Sequence, residues 1–431
     1  MKPKMHLLII SIVLLGGFLK SDYPDYNVIM NGTPYPSKLF IHSMSNFDPH
    51  LGILNPDLSV YWEVYSGNQG FDFRENNGKL SYYDKTHRFW IVANSNMSEI
   101  DTLQCLNGTT DYHDVRLLEN GGYILNCYDS TYIELELPTP QLLKDVLVIQ
   151  EFDSNGNLIL NWNALDHLSI YDYPDFNLSM PIITFMHGNS IEIDDDENLL
   201  LSNRTSNEIF KINRITGDII WIMGGPLNEF TFIDDSLNGF NKQHDVRRIE
   251  NGNITLFDNG TQHSPMVSRA VEYEIDEINK TATLIWEYAH PDSIVAMSMG
   301  SVQRLPNQNT LINWGFFFET IILETGAIIM EVDYDKNIVF ELAYPIDHSE
   351  QERYTTYRAR KSDWDFSINV IKGDSNLDDV VNVIDIIYLL NYILDNFQEN
   401  PNLFEKHKLD LDTNGTIDIV DIIKMVNTIL D

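Results

Sequence analysis

The sequence predicts a mainly β protein, a propeller of about six blades followed by a small α-helical module. Three observations predict it. From about Tyr23 to Lys361 the chain is a series of short strand-like runs broken by Asn-Gly, Asp and Pro turns, with almost no helical periodicity. Two sequence elements recur there about every 55 residues, the signature of a repeated supersecondary unit. After Trp364 the composition shifts into two acidic loops, each followed by an apolar helical run. A chain of 431 residues exceeds one ordinary core, and its 43% hydrophobic content is normal for folded units.

The first repeated element is YHDVRLLENGGYILNCYD from Tyr112, MHGNSIEIDDDENLLLSNR from Met186, QHDVRRIENGNITLFDNG from Gln243 and SMGSVQRLPNQNTLINWG from Ser298. Each copy reads as strand, Asn or Asp turn, strand. The second element is a polar turn and a β-rich run ending in an aromatic, at Trp62, Trp162, Trp221, Trp286 and Phe340. Two hairpins per unit make a four-stranded blade. The interval from Trp62 to Trp162 leaves room for one degenerate blade around HRFWIVANSNMSEIDTL. A long β-sandwich or β-solenoid would show shorter and more uniform repeats.

The first strand of a propeller blade lines the central channel, so equivalent positions of the first element form a ring. Those positions hold His113, His187, His244 and Met299. Imidazoles at a channel mouth suit an anion or acid–base site. The competing reading is structural: the His-Asp pairs, His113 with Asp114 and His244 with Asp245, tie neighbouring strands by buried hydrogen bonds.

With 28 basic and 64 acidic residues the formal charge is -36, which repels nucleic acid and anionic membrane and favours cations. Residues 1–21 carry Lys2 and Lys4, an apolar run from Leu7 to Phe18 and a polar end from Lys20, which read as a secretory signal peptide, with an uncleaved anchor as the alternative. That run is shorter than the roughly 20 residues a membrane helix needs, so a secreted or extracellular chain with no membrane span is expected. Cys105 and Cys127 form either one disulfide or two buried thiols. Asn107 and Asn259 stand in Asn-x-Thr acceptor sequences for glycosylation in a eukaryotic host.

From Trp162 to Gly315 the motifs WNALDHL, MHGNSIEIDDDENLLLSNR, INRITGDIIWIMGG, KQHDVRRIENGNITLFDNG, SRAVEYEID and GSVQRLPNQNTLINWG occur in an order and spacing that resembles the arylsulfotransferase family of β-propeller enzymes. The resemblance implies transfer of sulfate from an aryl sulfate to a phenol through a channel histidine, with no nucleotide cofactor. Such chemistry uses a neutral imidazole as nucleophile, a second His for the phenol proton, and Arg to hold the sulfate oxygens. By motif match His187 and His244 take the places of active-site histidines and Arg269 that of the family arginine. His113, Arg204 and Arg247 are the further candidates for holding substrate. The family's nucleophile falls later in the chain, where Met299 stands here and His290 lies nearby in a loop. Either His187 or His244 has taken over, or His290 swings in, or the propeller binds a ligand or protein without transferring sulfate.

The second C-terminal loop, DLDTNGTIDIVD, places Asp410, Asp412, Asn414, Thr416, Asp418 and Asp421 at positions 1, 3, 5, 7, 9 and 12, with Gly415 at the sharp turn. These are the oxygen donors that Ca²⁺ takes. The first loop, DSNLDDVVNVID, offers Asp374, Asn376, Asp378, the Val380 carbonyl, Asn382 and Asp385 at the same offsets. Its turn position is Asp379, which must adopt a conformation usual for Gly, so the second site is expected to be the firmer. The residues before Asp374, DWDFSINVIKG, read as strand or linker, and both loops close with Asp; this duplicated arrangement of loop and exit helix resembles a type I dockerin. The apolar faces expected to pack are Ile386, Ile387, Leu389, Leu390 and Ile393 against Ile422, Ile423, Val426, Ile429 and Leu430. The resemblance implies a cohesin-bearing scaffold or cell-surface partner and, through the company dockerins keep, a link to polysaccharide breakdown. Positions 10 and 11, Val383 with Ile384 and Ile419 with Val420, would meet that partner. The expected boundaries are a propeller over 22–361, a linker over 362–372 and the dockerin-like module over 373–431.

Overall fold

A computed structural model describes residues 23–430 except 47, 98–99, 318–324, 347–352, 368–370, 377 and 396–401, so the signal peptide read over 1–21 lies outside the described residues. Six four- or five-stranded sheets form the blades of a propeller, antiparallel except where the short strands Ile182–Thr184 and Thr231–Ile233 add in parallel to blades 3 and 5. Blade 2 runs Gln69–Asn76, Lys79–Asp84, Phe89–Ala93 and Ile100–Leu103; blade 3 runs Thr109–Leu117, Tyr123–Ile133, Gln141–Phe152 and Leu158–Asn163. Blade 4 runs Gly188–Ile193, Leu199–Asn203, Glu208–Ile212 and Ile219–Gly224, and blade 5 His244–Arg248, Ile254–Asp258, Arg269–Asp276 and Thr281–Ala289. Blade 6 runs Ser301–Arg304, Thr310–Asn313, Thr325–Val332 and Ile338–Pro345. Blade 1 is built from both ends of the propeller: Ala359–Ser362 supplies its inner strand beside Lys38–Ser43, His50–Leu54 and Val60–Tyr65. Asn27–Met30 adds to the outer edge of blade 6. Each end thus completes a sheet that the other began, which closes the ring without exposed inner edges.

The repeated aromatics explain how the blades stack. Trp62, Trp162, Trp221, Trp286 and Phe340 all lie on fourth strands and are buried. Trp162 donates from Nε1 to Gly217 O in the following blade, and Trp286 does the same to Tyr334 O, both at 3.0 Å. Along the channel a different side chain repeats. Asp114, Ser190, Asp245 and Ser301 each accept from an inner-strand amide of the next blade, those of Ile191, Val246, Val302 and Ala359. Of the His-Asp pairs, the Asp is therefore the tie between strands, and the His is left for another role.

Cys105 and Cys127 are joined in a disulfide, so the open alternative is settled in favour of the bridge. It fastens the segment entering blade 3 to that blade's second strand. No helix among the described residues is long and apolar enough to cross a membrane.

Three helices follow: α1 (Val383–Asp395), α2 (Leu403–Leu409) and α3 (Ile419–Leu430). α1 and α3 pack through Leu389 and Met425, with Ile386, Ile393, Ile422 and Ile429 beside them. Ile387, Leu390, Ile423 and Leu430, expected in that contact, are exposed instead, because two crossing helices bury only one narrow stripe each. The entering helix α2, absent from the sequence reading, leads straight into Asp410. Its Leu403 and Phe404 join the core of Trp62, Phe73 and Tyr82, and Trp364, from the expected linker, lies in the same cluster. Leu403 N donates to Tyr82 Oη at 3.0 Å, and His407 Nδ1 lies 2.9 Å from Glu63 O. Burying a Phe or Leu side chain stabilises by about 1.5–3 kcal/mol, so α2 is held by the propeller rather than by its own seven residues.

Candidate functional site

The inner strands of blades 3, 4 and 5 bring His113, His187 and His244 into one cavity of about 270 Å³, with Tyr112, Arg204, Ser298, Met299 and Tyr357 completing the wall. Glycine permits the approach at two places. A Cβ on Gly188, directly after His187, would meet Leu147 at 2.6 Å; one on Gly300, directly after Met299, would meet Phe257 at 2.4 Å, and its φ of +105° is itself costly for other residues.

The hydrogen bonds fix what each imidazole offers. Asn259 donates through Nδ2 to the carbonyls of Ala296 and Met299, so its Oδ1 is an acceptor, and it lies 2.7 Å from His244 Nδ1. His244 therefore carries its proton on Nδ1 and presents a lone pair on Nε2, met among the described residues only by the Met299 amide at 3.3 Å. His113 Nδ1 lies 2.5 Å from Asp111, and its Nε2 lies 3.0 Å from His187 Nε2, which makes a chain Asp111–His113–His187. Tyr112 stacks on His113 with ring centroids 4.2 Å apart.

All three imidazoles are held neutral. Burial, then the Arg358 charge, pushes His113 down to about 3; burial, then His113, pushes His187 down to about 3; burial, then Arg204, holds His244 well below the usual range. Burial pushes the Asp111 carboxyl up to about 7, so near neutral pH one proton is shared along its chain. Arg204 is the cavity's cation. It donates from Nη2 to Met297 O at 3.0 Å, its buried Nε has no partner, and it forms no ion pair among the described residues.

Two of the candidate arginines are elsewhere. Arg269 is buried on the third strand of blade 5, bonded to Asp235, Asp258 and Glu287, and does not reach the cavity. Its strand lies away from the channel, and three carboxylates already neutralise it. Arg247 lies further along the channel, paired with Asp114 at 2.8 Å, Asp245 at 3.0 Å and Glu192 at 3.2 Å. With Arg74, Arg358 and Asp72 it builds a charged plug between the two channel mouths. His290 is also outside the cavity, packed on Trp314 at 5.1 Å. Asp111 and Asn259 were not anticipated. Asn259, read as a glycosylation acceptor, is fully buried.

The model of the arylsulfotransferase family matches residues 63–358. The chain belongs to the arylsulfotransferase family. That span covers most of the propeller and includes the whole histidine cavity. No curated protein matches the chain. Among solved structures, a protein of unknown function from Bacteroides caccae is 11% identical, with a TM-score of 0.47 over 76% of this chain and 99% of that one. A catalytically inactive virginiamycin B lyase from Staphylococcus aureus with quinupristin is 10% identical, with a TM-score of 0.37 over 75% of this chain and 90% of that one.

The two C-terminal loops share one internal pattern. Asp374 accepts from the amides of Asp378 and Asp379 as Asp410 does from those of Asn414 and Gly415. Asp385 accepts from Ser375, Asn376 and Asn382 as Asp421 does from Leu411, Asp412 and Asp418. The turn residues match as well: Asp379 has φ 69°, Gly415 φ 84°. Among the described residues only the second loop draws three carboxylates, Asp410, Asp412 and Asp421, within 4.8 Å of one another. Burial and the charges of Asp421 and Asp412 push the Asp410 carboxyl up to about 7, a crowding that a divalent cation relieves. The donors, all hard oxygens at these offsets, fit Ca²⁺. Val383, Ile384, Ile419 and Val420 are exposed.

Proposed function

We propose that this family member transfers sulfate from an aryl sulfate to a phenol in the histidine cavity, with His244 as nucleophile and Arg204 as the sulfate clamp. One observation carries the reading: an arginine with no carboxylate partner among the described residues faces three neutral imidazoles inside a chain of charge -36. A sulfate there supplies the missing counter-charge. The Nε2 lone pair of His244 attacks sulfur, the N–S bond forms as the aryl O–S bond breaks, and the phenolate leaves. The ring becomes cationic at that moment, and Asn259 Oδ1 accepts its Nδ1–H. The Asp111–His113–His187 chain gives its shared proton to the phenolate. In the second half an acceptor phenol returns that proton and takes the sulfo group, which frees His244.

Incubating the purified chain with a chromogenic aryl sulfate and a phenol tests this. Turnover is expected, and Arg204→Met should lower kcat/KM about 10²–10³-fold, the effect of losing one preorganised donor to developing charge. Binding of the aryl sulfate without turnover would identify a ligand-binding propeller instead.

The Asp111 carboxyl is raised, so its proton is present below about pH 7 and lost above it. Turnover of aryl sulfates with basic leaving phenols should fall as pH rises through that point, and Asp111→Asn should lower it about 10²-fold. A nitrophenyl sulfate, whose phenolate leaves unaided, should respond far less to either change.

The C-terminal module is proposed to hold Ca²⁺ in both loops. Asp374, Asn376, Asp378, Asn382, Asp385 and the Val380 carbonyl would hold one ion; Asp410, Asp412, Asn414, Asp418, Asp421 and the Thr416 carbonyl would hold the other. The exposed apolar stripe of α1 and α3 supports docking to a cohesin-bearing partner, and the disulfide supports an extracellular location.

A further inference from the structure

Beside the histidine cavity, and sharing Met299 with it, lies a second pocket of about 480 Å³. Its floor is Phe71, which is edge-on to Tyr112 at 4.7 Å, so the aromatic wall is continuous with the stack on His113. Two cations line it, Lys85 and Arg353, and among the described residues no aspartate or glutamate does. That is unusual for a chain with 64 acidic residues; the pocket at the opposite channel mouth, though also cationic, mixes Glu75, Glu119 and Glu197 with its arginines and Lys361. Lys85 is exposed at the rim with its ammonium 3.8 Å above the Phe71 ring, and it forms no ion pair among the described residues. Deeper in, His42 is buried; its Nε2 lies 3.2 Å from Ser66 Oγ, and its Nδ1 has no partner among the described residues. A hydroxyl proton from Ser66 to Nε2 leaves Nδ1–H as a donor with nothing to donate to.

We propose that this pocket is an acidic-acceptor subsite: it takes the carboxylate of a phenolic acid whose hydroxyl enters the histidine cavity. The phenol ring then lies along Met299, Phe71 and Tyr112, with its carboxylate between Lys85 and His42. This rests on the sulfate-transfer reading for its chemistry. The binding itself does not depend on it.

The test compares two acceptors of nearly equal shape, 4-hydroxyphenylacetate and 4-hydroxyphenylacetamide, with one aryl sulfate donor. Wild type should show a KM about fivefold lower for the acid than for the amide, the scale of a partly exposed charge pair. Lys85→Met should bring that ratio to about one, and Lys85→Glu should reverse it. Equal KM values in wild type, or a ratio unmoved by Lys85→Glu, would overturn the subsite while transfer to either acceptor upheld the sulfotransferase reading. If no acceptor is sulfated, calorimetry with the same two compounds still decides. Preferential binding of the acid that Lys85→Glu abolishes upholds the subsite, and equal or absent binding of both overturns it.

Discussion

His244→Ala is expected to reduce sulfate transfer by about 10⁴-fold or more, because it removes the proposed nucleophile rather than a group that assists it. The choice of His244 over its neighbours comes from hydrogen bonding. His187 and His113 spend their facing nitrogens on each other at 3.0 Å, whereas His244 Nε2 meets only a long contact from the Met299 amide. Asn259 fixes the tautomer that leaves this lone pair free. Substituting His187 should act differently: it breaks a proton path, so about a 10²–10⁴-fold loss is expected, and the loss should shrink with a good leaving group. Steady-state rates of the two variants with a basic and an acidic leaving phenol separate the roles. Equal sensitivity of His244→Ala and His187→Ala to the leaving group would remove the distinction.

Removal of calcium is expected to cost most of the helical signal of the C-terminal module and little of the propeller. The two cradles hold like charges together; without a cation Asp410, Asp412 and Asp421 repel one another within 4.8 Å. α1 and α3 begin at these loops and share only a small core around Leu389 and Met425, so they should melt on chelation. α2 is anchored separately by Trp62, Phe73 and Tyr82 and should remain seated. Far-ultraviolet circular dichroism with added chelator reads the helices, and amide hydrogen exchange over Leu403–Leu409 reads whether α2 stays seated. Asp410→Ala should weaken calcium binding more than Asp378→Ala does, since Asp410 stands in the tight carboxylate group. An unchanged helical signal in excess chelator would count against metal-held loops.

The propeller was legible because its evidence is periodic. The fourth-strand aromatics and the paired inner strands recur with fixed spacing, and the ring of His113, His187, His244 and Met299 follows from aligning them. What repeats cannot show is a side chain that occurs once. Asp111 lies three residues before the repeated Asp114, outside the aligned columns, yet it orients His113. Asn259 looked like a sequon, and only its burial shows that it orients His244. Arg269 was a motif match whose strand is third in its blade; neutralisation by Asp235, Asp258 and Glu287 is a tertiary fact with no local sequence sign. Arg204 was named in sequence, but its unpaired state became visible only with the fold. α2 did leave a signal: Asn402 and Glu405 make a capping box, readable as Asn-x-x-Glu before a short apolar run.

On the proposed mechanism, sulfate passes through His244. The most direct measurement is rapid quenching of the wild-type chain after mixing with an aryl sulfate in the absence of acceptor, followed by peptide mass analysis. The expected result is one sulfo group on the peptide containing His244, lost when a phenol is added before the quench. A sulfo group on the His187 peptide, or steady turnover with no sulfated histidine at any time point, would contradict it.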